Sequence, residues 1–134
     1  MLKRTILLVD DDQDDVEFFT VALKEIEPDS VCFVANDGNE ALVMLRFGMQ
    51  QLPDYIFLDL NMPLMNGREC LAELKKDERL KDIPVIICTT SSDQRDKDAT
   101  EKLGAMYFFT KPLSLQKYCE EISFVIQNVA LHHT

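Results

Sequence analysis

The sequence predicts a doubly wound α/β domain built on a five-stranded parallel sheet. Three observations predict it. Five short apolar runs, at residues 6–9 (ILLV), 31–35 (VCFVA), 55–58 (YIFL), 85–88 (VIIC) and 106–109 (MYFF), are β-branched or aromatic, and several lack the alternation of a half-exposed strand. Helix-like stretches with apolar residues three and four apart lie between them. The β-then-α alternation repeats five times, which implies right-handed crossovers and helices on both faces of the sheet.

Each element has its own justification. After the first run, Val16, Phe19, Leu23 and Ile26 mark one face of a helix, and Asp12, Asp14, Asp15 and Glu17 crowd its first turn, where the helix dipole favours negative charge. Ala41, Leu42 and Leu45 mark the second helix, and Leu71 and Leu74 the third. The fourth, over residues 93–102, carries Ala99 as its only apolar residue, so it is expected to be the least firmly anchored. Tyr118, Ile122, Val125, Ile126 and Val129 form a long apolar stripe in the last. Gly38, Gly67 and Gly104 punctuate turns, Asn66-Gly67 reads as a turn signal, and Pro53 and Pro84 each precede a strand.

A length of 134 residues points to one domain, read here as spanning 1–134 with no attached output module. With 14 Lys+Arg against 24 Asp+Glu, the formal net charge is −10, which argues against a nucleic-acid or anionic membrane surface. No apolar run approaches a membrane span, and the N-terminal run meets Asp10 too soon for a signal peptide. Cys32, Cys70, Cys88 and Cys119 form no Cys-x-x-Cys pair and sit in apolar segments, so they read as small buried hydrophobes of a reducing, cytoplasmic compartment. His132 and His133 read as part of a frayed tail.

The chemistry lies at the carboxyl ends of the strands. Asp10 and Asp11 follow the first, and Asp59 follows the third. In a sheet ordered 2-1-3-4-5 these strands are neighbours, and their ends form the switch point where ligands bind. Three converging carboxylates repel one another unless a cation intervenes, and hard oxygen ligands suit Mg²⁺. Thr89 follows the fourth strand and Lys111 the fifth, placing a hydroxyl and an ammonium on the same rim. Three carboxylates, one ammonium and one Mg²⁺ would sum to zero, a site able to stabilise a transferred phosphoryl group. A carboxylate can serve as its nucleophile.

The chain resembles the receiver domain of bacterial response regulators, the phosphoacceptor half of two-component signalling. The resemblance rests on residues 6–12 (ILLVDDD), 57–67 (FLDLNMPLMNG), 84–90 (PVIICTT), Gly104-Ala105 and Lys111-Pro112, in family order and spacing across essentially the whole chain. It implies a CheY-like, flavodoxin-like fold with five helices. Asp59 is then the phosphorylated aspartate. Asp10 and Asp11 hold Mg²⁺, Asp11 the more directly, with Asp59 and the backbone carbonyl of Asn61. Thr89 binds a phosphoryl oxygen, Lys111 pairs with Asp59 or its phosphate, and the Lys111–Pro112 bond is expected to be cis. Phe108 takes the place of the switch aromatic; lacking a hydroxyl, it is expected to favour an inward rotamer. Asn61 and Ser91 lie where side chains tune loss of phosphate.

The implied protein is a phosphoacceptor rather than a turnover enzyme. Its partners are a sensor histidine kinase and a downstream protein target or phosphotransfer protein, with homodimer formation through the face of the fourth helix, fifth strand and fifth helix. The chain also resembles stand-alone regulators, including those that partner phytochrome-type kinases. Two other classes compete. A haloacid-dehalogenase-like phosphatase also uses a strand-end Asp-x-Asp with Mg²⁺, yet Gln13-Asp14 follows here where that family has Gly-Thr. A flavodoxin-like FMN carrier shares the topology, but its phosphate loop is hydroxyl- and Gly-rich, whereas a wall of carboxylates stands here.

Overall fold

Among the residues that the computed structural model describes, 4–62 and 65–129, five strands alternate with five helices. The strands are β1 (Thr5–Val9), β2 (Val31–Ala35), β3 (Tyr55–Leu58), β4 (Val85–Thr89) and β5 (Tyr107–Thr110). All pair in parallel, in the order β2-β1-β3-β4-β5. The helices are α1 (Gln13–Ile26), α2 (Gly38–Val43), α3 (Gly67–Lys76), α4 (Gln94–Lys102) and α5 (Leu115–Phe124). Wider π-type turns, Met44–Gly48 and Val125–Val129, extend α2 and α5. Pro63, Leu64, His132, His133 and the side chain of Val129 lie outside the described residues.

The pleat divides the core into two layers. Ile6, Leu8, Tyr55, Phe57, Ile86, Cys88 and Phe109 meet Phe19, Leu23, Tyr118 and Ile122 of α1 and α5. Leu7, Val9, Ile56, Leu58, Val85 and Ile87 meet Ala41, Leu42, Leu71 and Leu74 of α2 and α3. The inner strands β1, β3 and β4 are covered on both faces, which is why they read as unbroken apolar runs. β2 departs from that pattern because it is the sheet's edge. Its side chains alternate, and Val31 and Phe33 stay 38% and 41% exposed.

The helix starts follow local chemistry. Asp12 caps α1, accepting the N–H groups of Asp14 and Asp15 at 2.9 and 3.1 Å. Asn66 does not form a simple turn with Gly67; it caps α3 in a reciprocal box with Glu69. Gly38 likewise opens α2 rather than a turn, whereas Gly104 does sit in a turn at φ +106°. The four cysteines are free, with Cys70 and Cys88 buried and Cys32 and Cys119 half-buried. Burial pushes the Cys70 thiol up to about 12, so it packs as an apolar group. Among the described residues, no helix is long and apolar enough to cross a membrane.

Helix α4 is held by little. Its one fully buried residue is Thr100 rather than Ala99, which is only half-buried. A threonine can take that place because its hydroxyl turns back onto the carbonyls of Asp96 and Lys97, at 2.9 and 3.1 Å. Helix α1, by contrast, buries Phe19, Ala22 and Leu23. Amide hydrogen exchange measured by mass spectrometry is therefore expected to be faster across α4 than across the middle of α1. Equal protection of the two helices would contradict this account.

Candidate functional site

Strand register delivers the site. Val9 pairs with Leu58, so the next residues, Asp10 and Asp59, emerge side by side from neighbouring strands. The backbone fixes both: Asp10 N–H donates to Ala35 O and Asp59 N–H donates to Val9 O, each at 3.0 Å. Both carboxylates are buried, at 3% and 5% exposure. Asp11 is exposed beside them, and one oxygen from each of Asp10, Asp11 and Asp59 lies within 4.8 Å of the others. Three hard oxygen donors that close, two of them out of bulk water, fit a divalent cation. Asn61 and Asp11 line the same cleft, with Leu60, Met62, Asn66, Arg68 and Asp96.

Lys111 reaches this cluster from the end of β5. Its backbone N–H donates to Thr89 O at 2.6 Å, and its side chain is almost wholly buried. The ammonium lies 2.8 Å from Asp10 Oδ2, 2.6 Å from Asp15 Oδ2 and 3.4 Å from Asp59 Oδ2. Burial works to lower the Lys111 pKa, but hydrogen bonds to Asp10 and Asp15 and the charge of Asp59 outweigh it and hold the ammonium above the ordinary lysine value. Burial pushes the Asp10 carboxyl above its usual range, against hydrogen bonds from Lys111 and the Asp12 N–H. Four carboxylates around one ammonium leave a formal local charge of −3.

Thr89 is fully buried at the end of β4, and its Oγ1 accepts the Ser91 N–H at 3.4 Å rather than contacting Asp59. Ser91 is a junction. Its carbonyl accepts from Thr110 Oγ1 at 3.0 Å, and its hydroxyl donates to Asp96 Oδ2 of α4 at 2.6 Å. Asp96 in turn pairs with Arg68 of α3 across the lip of the cleft. Phe108 is half-buried and packs with Leu103 and Ala105 against the α2–α3 layer. The Lys111–Pro112 bond is trans, contrary to the expectation of a cis peptide. The trans bond still leaves the Lys111 ammonium among its carboxylates.

The structure thus brings Asp10, Asp11, Asp59 and Lys111 together, with Asn61 on the cleft wall and Thr89 tied to Lys111 through the backbone. Sequence reasoning missed Asp15, which it read as a helix-dipole residue only. It also missed the Arg68–Asp96 pair. The available signal for Asp15 was its place one helical turn beyond Asp11, on the strand-end side of α1.

A doubly wound sheet with an acidic cleft at its switch point is the frame of a receiver domain, and comparison with known proteins shows that family. The model of the response regulator receiver domain matches residues 6–123, and the chain belongs to that family, the receivers of two-component systems. It is 33% identical to response regulator Rcp1 of Synechocystis sp., over 96% of this chain and 92% of that protein. It is 31% identical to protein PilH of Pseudomonas aeruginosa, over 90% and 96%. Among solved structures, the phosphorylated cyanobacterial phytochrome response regulator RcpA superposes with a TM-score of 0.85 at 30% identity, covering 96% of each chain. The Mn²⁺-bound form of Rcp1 gives 0.83 at 31% identity, covering 98% of this chain and 97% of that one. The phosphatase and FMN-carrier readings find no favour in these relatives.

Gly67 is the site's tightest backbone contact. A Cβ there would fall 2.2 Å from the carbonyl oxygen of Asp59. Gly67→Ala is therefore expected to lower stability by about 1–3 kcal/mol, read as a shifted urea midpoint. An unchanged midpoint would show that the Asp59 loop yields freely.

Proposed function

We propose that this receiver accepts a phosphoryl group from the phosphohistidine of a sensor histidine kinase onto Asp59, in a Mg²⁺-dependent reaction, and then signals to a protein partner. The observation that carries the reading is the buried Asp59 carboxylate, within one cluster with Asp10 and Asp11 and 3.4 Å from the Lys111 ammonium. An Asp59 oxygen attacks phosphorus, the P–N bond breaks, and the imidazole leaves with the electron pair and takes a proton from solvent. The product is an acyl phosphate on Asp59. Mg²⁺, when bound by Asp10, Asp11, Asp59 and the Asn61 carbonyl, supplies positive charge opposite the phosphoryl oxygens. Lys111 neutralises part of the phosphoryl charge, and the Asp10 and Asp59 backbone bonds keep both carboxylates aimed.

The conformational step begins at Thr89. Its hydroxyl turns from the Ser91 N–H to a phosphoryl oxygen, and Phe108 shifts further inward. Because Ser91 also holds Asp96, this movement loosens α4. The change is a shift between two populated arrangements, not a new fold. Output is contact with a protein target or phosphotransfer protein. The α4–β5–α5 face, with exposed Met106 and Phe124 and the half-buried Tyr107, is the surface for that contact or for homodimer formation. The free thiols fit a cytoplasmic setting. The likeness to RcpA and to the bacteriophytochrome response regulators AtBRR and RtBRR supports a phytochrome-type kinase as the donor.

Incubation with a small acyl-phosphate donor and Mg²⁺ is expected to add one phosphoryl group to the intact mass of the wild type. Asp59→Asn, or chelation of the metal, is expected to abolish the gain. No gain by the wild type, or an equal gain by Asp59→Asn, would refute the assignment. Titration of the donor-free protein with Mg²⁺ is expected to raise its Tm, and Asp11→Asn is expected to weaken that response at least tenfold in concentration.

A further inference from the structure

The Lys111 ammonium lies within ion-pair distance of three carboxylates, and the closest is not Asp59. Asp15 Oδ2 lies at 2.6 Å, Asp10 Oδ2 at 2.8 Å and Asp59 Oδ2 at 3.4 Å. Asp10 and Asp59 belong to the strand ends, but Asp15 stands on α1, as its third helical residue. In a capping box that residue turns back to the N–H of the cap, as Glu69 does onto Asn66 in α3. In α1 the corresponding N–H, of Asp12, is already taken by Asp10 Oδ1 at 2.9 Å. The Asp15 carboxylate is thereby released from capping and crosses to Lys111. With only 6% of the Lys111 side chain exposed, its partners are these carboxylates rather than bulk water, and they compete.

We propose that Asp15 is a positioning residue that sets how the Lys111 ammonium is divided between helix α1 and the phosphoryl group on Asp59. The inference rests on the reading of Asp59 as the phosphoacceptor. In the resting arrangement Asp15 draws the ammonium toward α1 and leaves Asp59 the most distant of its three partners. Phosphorylation replaces the single charge of Asp59 with a phosphoryl group of charge about −2, whose oxygens are stronger acceptors and reach further into the cleft. Lys111 meets those oxygens at the expense of its contact with Asp15. The released carboxylate stays in the first turn of α1, where the helix dipole stabilises it and a 32% exposed side chain can recover water. Asp15 therefore weights the equilibrium toward the unphosphorylated arrangement.

Asp14 supplies the internal control. It is the preceding residue of the same first turn, its N–H is also held by Asp12, and it carries the same charge in the same dipole field without touching Lys111. The experiment compares the wild type with Asp15→Asn, Asp15→Glu and Asp14→Asn. Binding of beryllium trifluoride, a tetrahedral phosphoryl mimic, is titrated in saturating Mg²⁺. Asp15→Asn is expected to bind about fivefold more tightly, the scale of one partly exposed ion pair, while Asp15→Glu and Asp14→Asn stay close to the wild type. A second readout needs neither metal nor mimic: the carboxyl ¹³C resonance of Asp59 is expected to shift in Asp15→Asn, as Lys111 closes on Asp59, and not in Asp14→Asn. Equal or weaker binding by Asp15→Asn, or an equal gain by Asp14→Asn, overturns the proposal. Should the wild type fail to bind the mimic, the phosphoacceptor reading falls, and the Asp59 resonance still decides the division of Lys111: no shift in Asp15→Asn overturns it.

Discussion

Charge crowding at the carboxyl ends of β1 and β3 is the constraint on which the rest of this structure depends. Asp10 and Asp59 are buried next to one another, and like charges at that separation cost free energy that a solvated pair would not. The fold tolerates them because the surrounding framework is rigid. Two apolar layers clamp β1, β3 and β4 on both faces, so neither carboxylate can retreat without breaking the strand register that aims it. Lys111, fixed by its backbone bond to Thr89, is the single ammonium brought against them among the described residues. What remains is an anionic, preorganised cleft whose oxygen donors and ammonium are already oriented.

The same rigidity makes the periphery responsive. Thr89, Ser91, Asp96 and Arg68 form a continuous polar chain from the end of β4 to α4 and back to α3. It starts at a fully buried threonine and passes through a helix that buries only Thr100. A small displacement at the buried start therefore meets little resistance at α4. The helices α1 and α3 offer no such freedom, since each inserts several buried apolar side chains into the core. The proposed response therefore runs toward α4, where packing is thin, and requires no dedicated hinge.

How much was legible in the sequence follows from what each feature depends on. Asp10, Asp11 and Asp59 were legible because a carboxylate directly after a buried strand can lie only at the sheet's rim. Lys111 was legible for the same reason. Asp15 was not, because its direction depends on a hydrogen bond elsewhere: Asp10 occupies the Asp12 N–H that would otherwise draw Asp15 back. The Arg68–Asp96 pair joins two helices across 28 positions of chain, and no local pattern reports such a meeting. Asn66-Gly67 carries the composition of a turn, yet its glycine is required by the Asp59 carbonyl beneath it and its asparagine caps a helix. The exposed residues of β2 and the buried Thr100 were missed because burial depends on neighbours in the sheet, not on residue type. The Lys111–Pro112 isomer was expected from resemblance alone, and the trans bond shows that the Lys111 contacts do not require the other form.

Asp15 also changes the electrostatic account of the cleft. Counting the strand-end residues alone, three carboxylates and Lys111 would be neutralised by one divalent cation. With Asp15 included, the same cation leaves one negative charge in excess. A neutral site would not repel an incoming phosphoryl group through its net charge. A site left negative must rely on placement in the proposed transfer, with the surplus carboxylate held on α1 against Lys111. In such an arrangement the strength of the phosphoryl contact is governed by where one ammonium stands among its three partners. That position is a difference of tenths of an ångström between helix α1 and strand β3, and it can be altered by a single exposed-edge residue without disturbing the core beneath.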